Sequence, residues 1–446
     1  MKNDYRQKLH FEPKSGWIND PNGLCFFRGA YHVYYQYSPD SALGEGRKCW
    51  GHMESPDLIH WRVTGIVLFP DSPDDRDGVF SGSGLVKDDR LYLFYTGNVM
   101  EEGEHDYTTS GRGANVILVT TEDGRKMSGK KTLLRNCDYP DDCSCHVRDP
   151  KVWEENGRYF MVLGARTLDD KGCVLRYVSE DMEHWEYFGR YFCENMGYMW
   201  ECPDEFTLGG HRFLSVSPQG LAHGKYTAQN VYSSGYFDMD GGVPAGFEEW
   251  DKGFDFYAPQ TFSAPDGRRI LIGWEGIGDI PYSNPTVKLG RQHCLTLPRE
   301  LSLSEDGKLR QLPVRELEKL RKQSTPVKSG DIVRTRLPFE LEGTICDGFS
   351  AEIGGVLRLD YRGDEFSLEF LSERAGCGRT VRYALIKDCR DIRMIADTSS
   401  AEIYLGGGRA VMSARMYPDD TEVTLSVSGY DGRLYQLDGM EIVFDK

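Results

Sequence analysis

No stretch of this 446-residue chain stays apolar for long enough to cross a bilayer, and its first residues, Met-Lys-Asn-Asp-Tyr-Arg-Gln-Lys, lack the apolar core of a secretory signal. Both absences predict a cytoplasmic protein with no membrane partner. Positive charge is scarce too: 53 Lys and Arg stand against 70 Asp and Glu, a formal charge of -17. Nucleic acids and anionic lipids both demand a positive face, so neither is expected as a partner. The 12 cysteines lack the paired CxxC spacing of a zinc ribbon, and reduced thiols are expected rather than a disulfide framework. Cys137, Cys143, Cys145 and His146 have metal-ligating residue types, but in an irregular Asp/Pro-rich setting, and no metal is assigned to them. What remains is an acidic chain, 39% apolar, long enough for two domains.

Repetition is what the chain does contain. A unit made of an acidic or small polar start, a strand, a Gly/Asp/Asn turn and an aromatic strand occurs five times, starting at Asp20, Gly82, Asp149, Glu201 and Ala258. One copy reads Asp149-Pro-Lys-Val-Trp-Glu-Glu-Asn-Gly-Arg-Tyr-Phe-Met-Val. Repeats of roughly 50 to 65 residues, each a hairpin plus further strand, are the pattern of a β-propeller, so five blades are expected. Matched positions of successive blades lie at one height around a common axis. Asp20, Asp149 and Glu201 should therefore converge on one central cavity. A second echo, Ser55-Pro-Asp-Leu-Ile-His-Trp61 and Ser179-Glu-Asp-Met-Glu-His-Trp185, predicts Asp/Ser turns pinned by a tryptophan at equivalent blade edges.

The pattern changes after Leu297-Pro298-Arg299-Glu300. We assign residues 1–300 to the propeller and 301–325 to a linker, in which Pro313 opens a short helix with Val314, Leu317 and Leu320 on one face. Residues 326–446 alternate with period two, as in Val356-Leu-Arg-Leu-Asp-Tyr and Phe366-Ser-Leu-Glu-Phe, and are expected to form a β-sandwich. This half shows no evident catalytic cluster, and a supporting role is expected for it. The fold class is thus all-β.

Hydrolysis of a glycosidic bond needs one ionised carboxylate, to attack or to activate water, and one protonated carboxyl to discharge the leaving oxygen. Arg148 precedes Asp149 and is expected to keep it charged, suiting it to binding and charge stabilisation, although strand neighbours point to opposite faces. Glu201 lies between Trp200 and Cys202-Pro203, an apolar setting that favours a proton donor, which leaves Asp20 as nucleophile. Each acid alone also fits an ordinary turn. Three acids at matched repeat positions point to shared catalysis.

The residues around these acids resemble glycoside hydrolase family 32, which includes invertases, levanases, inulinases and sucrose-6-phosphate hydrolases. Trp17-Ile-Asn-Asp-Pro-Asn-Gly23 is similar to its nucleophile motif, Arg148-Asp149-Pro150 to its second and Trp200-Glu201-Cys202-Pro203 to its third. Further similarity runs through His10-Phe11-x-Pro13, Trp50-Gly51-His52, Phe80-Ser81-Gly82-Ser83, Gly273-Trp274 and, near the other end, Asp397-Thr-Ser-Ser-Ala-Glu-Ile-Tyr404. The resemblance implies a retaining double displacement on a β-D-fructofuranosyl unit, with Asp20 attacking, Glu201 as acid and then base, and Asp149 holding the sugar. It also implies a fructosyl pocket lined by Asn19, Gln36, Phe80, Ser81, Arg148 and Trp274, with Trp50 and Tyr257 close by. The same aromatics fit a blade core equally well. Neither metal nor organic cofactor is implied.

Ile18 replaces a methionine more usual in the first motif, a change of similar volume. Arg291 stands where relatives often carry an aromatic; with Arg47 and Lys48 it reads either as a phosphate contact or as a solvated charge. Sucrose, sucrose 6-phosphate and short fructo-oligosaccharides are favoured over long levan or inulin as the small-molecule sugar substrate. Fructosyl transfer to sugar uses the same covalent intermediate and stays open, as does the oligomeric state. Two rivals are a non-catalytic sugar-binding propeller, disfavoured by the intact acids, and an inverting arabinan or xylan hydrolase, whose acid and base must stand further apart to admit water.

Overall fold

The computed structural model describes residues 4–445. Among these, strands predominate: the one α-helix is the four-residue Glu373–Gly376, and no helix is long and apolar enough to cross a membrane. Five mainly antiparallel sheets follow one another along the chain, the first gaining a parallel strand at each edge. Their first strands are Gly16–Phe27, Gly78–Lys87, Cys143–Glu155, Met199–Leu208 and Tyr257–Ser263. These strands pack side by side in cyclic order, and the fifth packs back against the first. The result is the β-propeller that the repeats predict, with alternate residues of neighbouring sheets filling the space between them.

At the same height, each of these first strands carries an irregularity in its pairing with the second strand of its sheet. Two residues oppose one at Asn19-Asp20, Phe80-Ser81, Asp149-Pro150, Cys202-Pro203 and Ala258-Pro259. A bulge of this kind bends the strand and re-aims its side chains. In three copies the first bulge residue is left-handed, at φ 66° for Asp149, 47° for Cys202 and 48° for Ala258, and proline follows, whose missing N–H suits an interrupted ladder. The bulges also correct the expectation of matched acid positions. Glu201 precedes its bulge, Asp149 is the first residue of its own, and Asp20 is the second. The three carboxylates occupy successive register positions and still face one cavity.

The Ser-x-Asp-apolar-x-His-Trp echo is structural. In each copy the serine hydroxyl accepts two backbone N–H groups and the aspartate two more, and the indole donates to the carbonyl of Leu58 at 2.9 Å or Met182 at 3.0 Å. Both turns join the third and fourth strands of their sheets.

Arg299–Leu303 and Leu309–Pro313 belong to the fifth sheet, and the turn Arg315–Leu320 buries Val314, Leu317 and Leu320, as their spacing predicts. Arg321–Lys328 already pairs within the last sheet, a ten-stranded, sandwich-like array around its own apolar core. Leu357–Arg362 and Glu365–Phe370 alternate in burial, but every residue of Ser400–Leu405 is buried. One side of that strand, with Ile403 and Leu405, joins the sandwich core. The other presents Glu402 to Arg299 and to His10, at 2.8 and 3.1 Å. Asp397 takes the other nitrogen of His10, and Arg379 meets Asp255 at 2.8 Å, so a seam of buried ion pairs joins sandwich to propeller. Arg291 also faces inward, paired with Glu12 at 3.2 Å, which removes it as a phosphate contact or a solvated charge.

Candidate active site

The bulges open on a cavity of about 960 Å³. Asn19, Asp20, Gln36, Phe80, Ser81, Arg148, Asp149, Glu201, Tyr257 and Trp274 all line it. Trp50 does not: it is fully buried behind the wall, where its indole donates to the Phe80 carbonyl at 3.0 Å and so fixes the second bulge.

Each acid is held differently. One oxygen of Asp20 accepts a short hydrogen bond from Ser81 Oγ, and the other accepts from Asn19 Nδ2 at 3.1 Å; the Asn19 amide is in turn fixed by Gln36. Burial pushes Asp20 upward from the usual carboxylate range, the Ser81 bond opposes this, and the charge of Glu201 adds to it. Asp149, 5% exposed, accepts the Cys202 N–H at 2.9 Å, while its own N–H is anchored on Thr96 Oγ1 at 2.8 Å. It too is pushed up by burial, against the pull of Arg148. The Cys202 sulfur lies 3.6 Å from an oxygen of each aspartate and packs between them.

Glu201 overturns the expectation of an apolar setting. Trp200 and Cys202 are buried to either side, but the carboxylate itself turns into the cavity. There Oε1 accepts from Arg148 Nε and Nη2 at 3.0 and 2.7 Å, and Oε2 accepts from Tyr257 OH at 2.7 Å and Gln219 Nε2 at 2.8 Å. Arg148, expected to serve Asp149, therefore grips Glu201 across the gap between two sheets. Burial works against the charge of Arg148, and Glu201 and Asp149 more than offset it.

Sequence reasoning missed several residues of the wall. Trp17 joins the expected Trp274 in the wall, and both rings meet the buried His293 edge to face, at 4.3 and 5.0 Å. Gln219 sits on a second strand with no motif around it. Arg112 and His146 also line the cavity, although neither belongs to a repeat start. Lys48, which the sequence offered as a phosphate contact or a solvated charge, lines the cavity as well; its Nζ donates to Ser38 Oγ and the Gly44 carbonyl, both at 2.8 Å, and burial pushes it down to about 8. Cys137, Cys143 and Cys145 do not gather around a common point with His146, which turns to Arg148 at 2.8 Å. Among the described residues the one group spaced to hold a metal is His32, His52 and Glu54; the two rings hydrogen-bond to each other at 2.9 Å, and Arg125 takes the carboxylate.

Chemically, the cavity offers a fixed aspartate, a second buried aspartate, a glutamate held by four donors, and an aromatic flank suited to the apolar face of a sugar ring. Comparison with known proteins agrees. The model of the glycosyl hydrolases family 32 N-terminal domain matches residues 10–313, and that of the C-terminal domain matches residues 364–440. Sucrose-6-phosphate hydrolase of Bacillus subtilis is 38% identical over 95% of this chain and 92% of its own length. The solved sucrose-6-phosphate hydrolase of Lactobacillus gasseri superimposes with a TM-score of 0.89 at 27% identity, covering 98% of this chain and 94% of that one. The β-fructofuranosidase of Bombyx mori, solved as a mutant in complex with sucrose, gives 0.85 at 28% identity over 98% and 95%. The chain belongs to glycosyl hydrolase family 32 and is a glycoside hydrolase.

Proposed function

We propose that the protein is a retaining β-fructofuranosidase that releases the terminal fructosyl unit of sucrose, sucrose 6-phosphate or a short fructo-oligosaccharide. The observation that carries this reading is the convergence of Asp20, Asp149 and Glu201 on one cavity, each with a different set of partners. Asp20, held by Ser81 and Asn19, has a fixed oxygen to aim at the anomeric carbon and acts as nucleophile. Glu201, which turns into the cavity, delivers a proton to the departing oxygen. Glu201 then takes a proton from the water that opens the fructosyl ester on Asp20. Asp149 binds sugar hydroxyls and stabilises positive charge in the transition state, with Asn19, Gln36, Phe80, Ser81, Arg148, Tyr257 and Trp274 completing the pocket and Trp50 acting from behind it.

The same proposal gives the fold five blades, one for each sheet before the sandwich. The strand pairing favours ending the propeller near Pro313 rather than residue 300, with a connection as short as the Arg315–Leu320 turn.

The test is cleavage of sucrose, sucrose 6-phosphate and kestose in water containing methanol, with Asp20→Ala as control. Methyl β-D-fructofuranoside as the trapped product supports retention. The α anomer would favour the inverting alternative, and absence of any cleavage would remove the reading altogether.

A further inference from the structure

Beyond the groups that hold the reacting sugar, one wall of the cavity carries an arginine with no carboxylate paired to it. Arg112, the first residue of the strand Arg112–Thr121, lines the cavity next to Arg148 and His146. Among the described residues no carboxylate pairs with its side chain, and its Nε is buried without a hydrogen-bond partner. Burial and the neighbouring Arg148 act against its charge and outweigh the opposing pull of Cys145 and Glu201. Arg112 is half-buried, and a guanidinium that has lost part of its water beside a second one is costly unless an incoming anion offsets the cost.

His146 extends the same surface. Its Nδ1 faces Arg148 Nη1, which has only N–H to offer, so the nitrogen accepts and the proton resides on Nε2. Burial and the flanking arginines push this imidazole down to about 3, so it remains a neutral donor. Arg148 in turn holds Glu201. The cationic wall therefore lies on the Glu201 side of the cavity, where the departing sugar must sit for its oxygen to meet the acid. Asp279, paired with Tyr232, provides negative charge elsewhere on the rim. The cavity has room for a second sugar and more, since a fructosyl unit fills only part of about 960 Å³.

We propose that Arg112, assisted by the Nε2–H of His146, binds a phosphate group on the leaving sugar and sets a preference for phosphorylated over neutral substrates. This rests on the fructosidase reading and adds to it the residue that selects the substrate. Arginine fits the task because its planar fork meets two phosphate oxygens at once.

Steady-state kinetics on sucrose and sucrose 6-phosphate with the wild type, Arg112→Gln and Arg112→Lys provide the test. Arg112→Gln should lower kcat/KM for sucrose 6-phosphate by about 10- to 100-fold, mostly through KM, so that the ratio of the two specificity constants falls by that factor. Arg112→Lys should restore part of the ratio. Equal losses on both sugars, or an unchanged ratio, would overturn the assignment. A measurement without any variant guards against misfolding: glucose 6-phosphate should inhibit sucrose hydrolysis by the wild type at a concentration about tenfold or more below that needed for glucose. Equal inhibition by the two would also overturn it. If the wild type cleaves neither sugar, the fructosidase reading fails; if it cleaves both without preference, only the phosphate assignment does.

Discussion

Two clusters of buried carboxylates, one in the cavity and one in the seam between propeller and sandwich, are treated differently. In the seam each acid is matched. Arg299 lies between Asp251 and Glu402, and His10 bridges Glu402 and Asp397, which also accepts the backbone N–H groups of Leu9 and His10. Arg299 and His10 outweigh burial and hold Glu402 down to about 2, and Asp397 is lowered by the same histidine. In the cavity Glu201 and Asp149 share Arg148, Asp20 feels the charge of Lys48, and burial drives Asp20 and Asp149 upward. Glu402 and Asp397, saturated with cations and donors, are held charged and are structural, whereas burial pushes Asp251 in the same seam up to about 6. In the cavity, Asp20 and Asp149 are left with too little positive charge to offset burial, which brings them closer to taking up a proton.

Four experiments would break or sharpen that contrast. Asp20→Ala should lower turnover by about 10⁴-fold or more while leaving the thermal midpoint within a few degrees, because the side chain serves the reaction and not the fold. Near-normal hydrolysis would remove Asp20 as nucleophile. Arg299→Met should do the reverse. It strands two buried carboxylates and is expected to cost about 3–5 kcal/mol in denaturant unfolding, with kcat per folded molecule unchanged. A loss of less than about 1 kcal/mol would mean that the seam is not held by charge.

Glu201→Gln should slow substrates with poor leaving groups by about 10²–10⁴-fold and activated fructosides much less; equal slowing would remove the acid role. The smallest expected effect concerns pH. Asp397 and Glu402 are depressed in the fold, so the stability they contribute is complete above their ordinary range and disappears as pH falls towards about 2. Glu275, pushed up to about 7 by burial, has the opposite sign: its contribution is present below the ordinary carboxylate range and is lost as pH rises through about 7. A thermal midpoint that keeps rising from pH 5 to 8 would contradict this second limb.

The propeller and the three acids were legible in the sequence because repeats, turns and short motifs are local signals. The matched height of the acids was not, because a bulge shifts register without changing composition; Glu201 and Asp149 look equivalent in sequence and differ by one step on the strand. Which acid Arg148 would serve depended on the gap between two sheets, and strand periodicity says nothing across that gap. Gln219 and Arg112 lie on strands that carry no motif, so only the fold brings them to the cavity. The seam was hidden for a related reason: Arg299 and Glu402 are a pair separated by about a hundred positions, and each alone reads as an ordinary surface charge.

Glu441–Phe444 pairs in parallel with His60–Leu68, the outer strand of the first sheet, and Met440 N–H donates to the Lys8 carbonyl at 2.8 Å. The same early segment reaches Asp397 through Lys8, Leu9 and His10. These contacts span most of the chain, and closures of such long range are expected to form late in folding. Until then the outer edge of the first sheet has open hydrogen-bonding positions that another chain could occupy. The last strand thus acts as a clasp that closes late, and amide exchange along His60–Leu68 should report whether a molecule has finished folding.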